Sequence, residues 1–187
     1  VIVPTSAEGF SWTPVRTVAG VTTSATYYSS VRVPTSSLVG EENRGWPLIT
    51  NQLNHERVAL TSAAPVMSAL ADVRDWAAST RLASGERVID AEWVQLSLAR
   101  VHAKVEFLKL LNWRVASSGG SLGPADASAT KVFGTEFAVE AYRLLMEVLG
   151  ASAVVRSGSP GEVLAGRIER AHRSALILTF GGGTNEV

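Results

Sequence analysis

The chain has 187 residues, 46% of them hydrophobic and 18% charged, with 17 lysines and arginines balancing 17 aspartates and glutamates. Zero formal charge offers no global field for nucleic acid or an anionic membrane surface. The absence of cysteine excludes disulfides, thiolate metal ligands and a cysteine nucleophile, and no apolar run reaches the about 20 residues of a membrane span. The expectation is a soluble, cytoplasmic protein that binds no nucleic acid, inserts into no membrane, and hides part of its apolar surface against a partner.

Val1-Ile2-Val3 is β-branched, with no turn before it, and reads as a strand already under way in a longer chain. Two more β-rich runs follow, Ser11 to Val18 and Thr22 to Val33, with Pro14 marking an edge position. Residues 34–46 are polar and turn-rich, and Pro47 suits the first position of a helix. From there to Thr80 the pattern predicts one helix, kinked or broken near Pro65. Asp90 is the expected N-cap of a second helix, whose Val94, Leu98, Val101, Val105, Leu108, Leu111 and Val115 fall on one stripe. A third helix starts near Pro124, carries Phe133, Phe137, Ala141, Leu144 and Val148 on one face, and stops at Gly150. Ser159-Pro160-Gly161-Glu162 has the spacing of a capping box. It predicts a fourth helix that presents Leu164, Ile168, Ala171, Ala175 and Leu178 and ends at Gly181-Gly182-Gly183. The fold class expected is mainly α, an up-down four-helix bundle over residues 47–187, preceded by a few antiparallel strands from a truncated β-domain over residues 1–46.

Few residues in this pattern can carry chemistry. Glu169-Arg170-Ala171-His172 matches one Glu-x-x-His element of di-iron bundles, which need two, so no metal site is expected. The glycines before Thr184-Asn185-Glu186 read either as a helix terminator or as backbone that lets a planar cofactor or thioester approach closely. Glu56-Arg57 reads either as an adjacent charged pair on an exposed helix face or as a base in a cleft. In the second reading its place between Leu53 and Val58-Ala59-Leu60 would shelter the carboxylate and raise its basicity.

Three motifs together carry a resemblance: VRVPTSSLVGEENRGW, then LNHERVAL, then HRSALILTFGGGTNEV. In order and spacing they resemble the acyl-CoA dehydrogenases, as the end of the middle β-domain, the opening of the C-terminal helical bundle and the end of its last helix. The resemblance covers essentially the whole chain. It implies a flavin enzyme that dehydrogenates an acyl-CoA thioester, a carboxylate taking the α-proton while a β-hydride passes to FAD. In most members the base is a glutamate just before the closing Gly-Thr, where Gly182 stands here. A smaller set, including isovaleryl- and long-chain-type enzymes, carries the base on the first bundle helix directly before an arginine, which Glu56-Arg57 matches. By the same resemblance Asn54, Arg57 and Gly183 face the thioester, and Thr184, Asn185 and Glu186 touch the flavin dinucleotide. Arg81, allowing a one-residue gap, corresponds to an arginine that reaches the cofactor across a subunit interface.

Arg173-Ser174-Ala175 stands where the family has Arg-Asp-Ala, Leu82-Ala83 follows Arg81 without the usual aromatic and glycine, and Gly150-Ala151-Ser152-Ala153 replaces a Gly-Gly-x-Gly loop. Such departures resemble subunits of heteromeric members, including actinobacterial ones acting on steroid side chains, where not every subunit holds a flavin. The partners implied are an acyl-CoA substrate, further subunits of a homo- or hetero-oligomer joined through the bundle, and an electron-transfer flavoprotein or similar acceptor. The alternatives are a non-catalytic helical subunit of a heteromeric acyl-CoA dehydrogenase, or another flavin enzyme on the same scaffold. Because the family's N-terminal helical domain and the first half of its β-domain are not in this sequence, the 187 residues alone are expected to bind FAD weakly or not at all. An absorbance spectrum after purification checks this, and a stoichiometric flavin band would contradict it.

Overall fold

Residues 47–80, read from their pattern as one helix, form two. In the computed structural model, which describes residues 1–118 and 123–186, α1 (Gly45–Ala59) and α2 (Ala64–Ser79) are separated by a turn. Pro65 is at the start of α2, where its missing N–H breaks no helical bond. Two backbone groups orphaned by the break are satisfied from a third helix, α3 (Glu92–Ser117). Its Asn112 donates from Nδ2 to the Thr61 carbonyl at 3.0 Å and accepts the Ala63 N–H at 3.1 Å. One amide thus closes the gap, as a buried break requires.

The break packs on α4 (Pro124–Leu149) at Gly134. A Cβ there would stand 2.6 Å from the Thr61 Cβ, so only glycine fits. α4 is the hub of the fold: it touches α1, α2, α3 and α5 (Arg167–Leu178). The expected Phe133 to Val148 face is therefore only part of what it buries, since Ala127, Lys131, Gly134, Ala138 and Tyr142 are also inside. Phe133 itself is half-buried and packs edge-on against Phe107, with ring centroids 4.7 Å apart. α2, α3, α4 and α5 make the four-helix bundle, with α1 laid against α4. Val94, Leu98, Val101, Val105 and Leu108 of α3 are buried as their spacing predicts, while Leu111 and Val115 are half-buried.

Two helix starts differ from expectation. Asp90 lies in a single 3-10 turn, where Arg87 takes both carboxylate oxygens at 2.7 and 2.8 Å, so Ala91 occupies the cap of α3 without a side-chain bond. The capping-box residues 159–162 form a turn, because the Glu162 carboxylate accepts the Gly158 N–H at 2.6 Å instead of an N-cap N–H. α5 begins only after a left-handed passage through Leu164, Ala165 and Gly166.

β1 (Phe10–Arg16) and β2 (Thr22–Tyr28) form an antiparallel hairpin. Val1 to Val3 join no ladder; the Ile2 N–H is spent on the Ser37 carbonyl. The hairpin tip sits on α5, where Arg173 donates to the Val18 carbonyl at 2.6 Å and Ser174 to that of Ala19 at 3.2 Å. Arg173 also holds the buried Glu169 carboxylate through two bonds, at 2.6 and 2.9 Å. This hydrogen-bonded pairing keeps Glu169 below the ordinary glutamate value of 4.5. A carboxylate whose folded value is depressed stabilises the fold fully above its unfolded value and loses that contribution as pH falls through the folded one. Urea unfolding of wild type and Glu169→Gln should therefore differ most above pH 4.5 and converge in more acid solution. No described helix is long and apolar enough to cross a membrane.

Candidate active site

α1, α4 and the residues after α5 meet at one place. The Arg57 guanidinium, on α1, donates from Nε to the Gly182 carbonyl at 2.8 Å, across 125 residues of sequence. Its Nη1 reaches Asn54 Oδ1 at 3.3 Å and Ser128 Oγ of α4 at 3.4 Å. The final turn wraps closely around this side chain. Gly182 and Gly183 adopt φ of +67° and +104°, and a Cβ on either would lie 3.3 Å from Arg57. Left-handed backbone and the close approach both select glycine here.

Below that turn lies a lysine that the sequence reading did not single out. Lys131 is 2% exposed. Its ammonium donates to the carbonyls of Thr179 and Gly183 at 2.8 and 2.6 Å and to Asn185 Oδ1 at 2.6 Å. Burial, and then the neighbouring positive charge of Arg57, push its pKa below the ordinary 10.5, while Glu186 and Glu136 pull the other way. A signal existed: Ala127, Lys131, Gly134 and Ala138 form a helical stripe of small residues with one cation in it. A lysine at a core position needs a set of acceptors, and the tail supplies them.

The candidate residues divide accordingly. Asn54, Arg57 and Gly183 are assembled around the clasped turn. Glu56 lies next to Arg57 on α1, but its side chain is exposed and has no hydrogen-bond or ion-pair partner among the described residues. The sheltered cleft expected around it is therefore not formed by these residues. Thr184 and Glu186 are also exposed. Asn185 is committed inside the tail: besides binding Lys131, its Nδ2 donates to Thr135 Oγ1 at 3.2 Å and to Glu136 Oε1 at 3.4 Å. Arg81 stands apart, in the loop after α2, with its guanidinium on the Gly85 carbonyl at 2.6 Å. In the Glu-x-x-His element the Glu169 carboxylate is bound by Arg173.

The family model described as "Acyl-CoA dehydrogenase, C-terminal domain" matches residues 43–187. The chain belongs to the acyl-CoA dehydrogenase family. Among curated relatives, the acyl-CoA dehydrogenase FadE26 of Mycobacterium tuberculosis is 68% identical over 191 aligned residues, covering 100% of this chain and 48% of that protein. Among solved structures, the ChsE4-ChsE5 complex from Mycobacterium tuberculosis superposes with a TM-score of 0.92 at 70% identity, over 98% of this chain and 47% of the matched one. The Tcur3481-Tcur3483 steroid ACAD does so with a TM-score of 0.91 at 48% identity, over 99% and 47%. The chain thus spans about half the length of the acyl-CoA dehydrogenases it matches.

Proposed function

We propose that these residues form one wall of the active site of a flavin-dependent acyl-CoA dehydrogenase in which Glu56 is the base. The supporting observation is the bond from Arg57 to the Gly182 carbonyl. It holds α1, with Glu56 as that helix's one carboxylate, against the turn where the family's other base position is a glycine, which leaves Glu56 as the family-compatible base for a thioester lying along that turn. Glu56 takes the α-proton. Asn54 and Gly183 border the thioester, while Arg57, spent on Gly182, Asn54 and Ser128, positions the turn.

When bound, FAD supplies the acceptor for the β-hydride. The exposed Thr184 hydroxyl and Glu186 carboxylate would address it, and the Arg81 guanidinium, which spends one nitrogen on the Gly85 carbonyl, has further N–H donors for it. The amide of Asn185, held by Lys131, Thr135 and Glu136, instead shapes the segment. Residues 1–46 are the end of the middle β-domain and 47–187 the bundle domain. The assembly is oligomeric, as the complexes and steroid ACAD among the matched structures suggest, and delivers electrons to a flavoprotein acceptor. The absence of cysteine suits a cytoplasmic setting.

The test is α-proton exchange in deuterated buffer by the full-length protein carrying Glu56→Gln, read beside its flavin absorbance. Wild-type exchange in the variant would end the assignment. The altered loops after Arg81 and at Gly150 favour a second reading, a helical subunit that serves a partner's flavin. Flavin per copy of this chain in the native complex separates the two readings.

A further inference from the structure

α2 and α5 both pack on α4, and a cavity of about 320 Å³ lies between them, bounded at one end by the last turn of α1. Small residues make the room. The floor is Gly134, Ala138 and Tyr142, at four-residue steps along α4, a run of about 12 Å at 1.5 Å per residue. α5 runs the opposite way along it: Leu178 lies by the tail, next to the Thr179 that Lys131 holds, and Ala171 lies by Tyr142.

Tyr142 is 7% exposed, and its hydroxyl has no hydrogen-bond partner among the described residues. Burial pushes it above the ordinary 10.0, with no hydrogen bond contributing. A buried tyrosine ordinarily finds a partner for its O–H, and phenylalanine would fill the same space without the polar atom. The side chain lines this cavity and also a second one of about 180 Å³, bordered by the ion pair of Arg167 with Asp72. The other hydroxyls of the larger cavity are spent on backbone. Thr61 donates to the Val58 carbonyl at 2.9 Å and Ser174 to that of Ala19 at 3.2 Å, while Ser62 accepts the Ala64 N–H at 3.3 Å. Tyr142 is thus the one uncommitted hydroxyl in an otherwise apolar space.

The near end of the cavity adjoins the reacting end of the site. Ala59 and Leu60 line it, three and four residues after Glu56 and therefore on the same face of α1, one turn on. Leu60 also touches the glycine turn: a Cβ on Gly181 would lie 3.4 Å from its Cδ1, and one on Gly182 3.7 Å. An acyl chain with its α-carbon at Glu56 that runs along this face passes Leu60 and comes to the cavity.

We propose that the cavity receives the far end of the substrate's acyl group and that the Tyr142 hydroxyl donates a hydrogen bond to an oxygen carried there. The enzyme then favours long acyl-CoA thioesters with a distal carbonyl or hydroxyl, because a plain chain leaves the buried O–H unpaired. The proposal rests on the dehydrogenase reading above, with Glu56 as base. It is tested by α-proton exchange in the full-length protein in its native complex, with straight-chain acyl-CoA thioesters from butanoyl to hexadecanoyl, the long ones with and without a keto group at the penultimate carbon. In wild type the keto member of a long pair should have the higher kcat/KM, and Tyr142→Phe should cut that preference by about tenfold, the worth of one well-made hydrogen bond. Ala171→Leu, which shortens the cavity beside Tyr142, should move the preferred length toward shorter chains. If Tyr142→Phe fails to fold, the wild-type keto preference and the Ala171→Leu length profile carry the test. An unchanged keto preference in Tyr142→Phe, or equal slowing of every thioester as a packing role would give, would overturn the role of the hydroxyl. An unmoved length profile in Ala171→Leu would overturn the cavity as the acyl site. No exchange by wild type with any thioester would overturn the dehydrogenase reading, and the proposal with it.

Discussion

Glu56→Gln in the full-length enzyme is expected to slow α-proton exchange by about 10²–10⁴-fold, the usual range for removing a positioned general base, while flavin content stays at the wild-type level. The size of the effect follows from the neighbourhood of α1. No second carboxylate stands at Gly182, and a glutamate placed there would have to accept a φ of +67° with its Cβ 3.3 Å from the Arg57 Cγ. Glutamine keeps the shape of Glu56 and can still accept a hydrogen bond, but it cannot take a proton. The exposed, unpartnered side chain has no structural contact to lose, so the fold should be untouched. A loss of exchange at full flavin occupancy and unchanged melting temperature would isolate the proton-transfer step.

Lys131→Met is expected to produce the largest loss of stability. Methionine fills much of the volume but takes the ammonium from the Thr179 and Gly183 carbonyls and leaves Asn185 Oδ1 with only the Thr135 hydroxyl, at 3.3 Å. An acceptor stranded in a buried place costs about 1–3 kcal/mol, and relief from burying a cation offsets part of the sum. A net loss of about 2–4 kcal/mol lowers the melting temperature of a chain this size by about 5–15 °C. The damage should concentrate in residues 179–186, which the ammonium holds against α4, so limited proteolysis should cut there first. Equal melting temperatures for variant and wild type would show that the Arg57 bond and those of Asn185 to Thr135 and Glu136 hold the tail without the ammonium.

These two residues illustrate how much could be read from the sequence. The inner stripe of α3 was legible because one face of that helix is buried and its spacing shows it. α4 was legible only in part, since beside four other helices its exposed polar side narrows to residues such as Glu136, Arg143 and Glu147, and nothing local set Lys131 apart from them. The break between α1 and α2 was anticipated near Pro65, but it falls at residues 60–63, where Asn112 and Gly134 make room for it. Neither residue is near in sequence, so no local pattern could announce it. The start of α5 was misplaced because a Ser-x-x-Glu spacing serves a tight turn as readily as a helix cap. Arg57 and Gly182 were linked by family resemblance, whereas their contact is a property of the folded chain. The exposure of Glu56 was not legible, because burial depends on which surfaces meet.

The bond from Arg57 to Gly182 also bears on the order in which the molecule assembles. The α2–α4 packing is built largely between consecutive helices and can form early, while a contact spanning 125 residues carries the loop-closure cost that slows folding. Residues 179–186 leave the ribosome after α1 to α5 have been made. The surface beside Glu56 is therefore completed after the bundle, so a chain with finished helices and an unclasped tail would already be folded but not yet shaped for substrate.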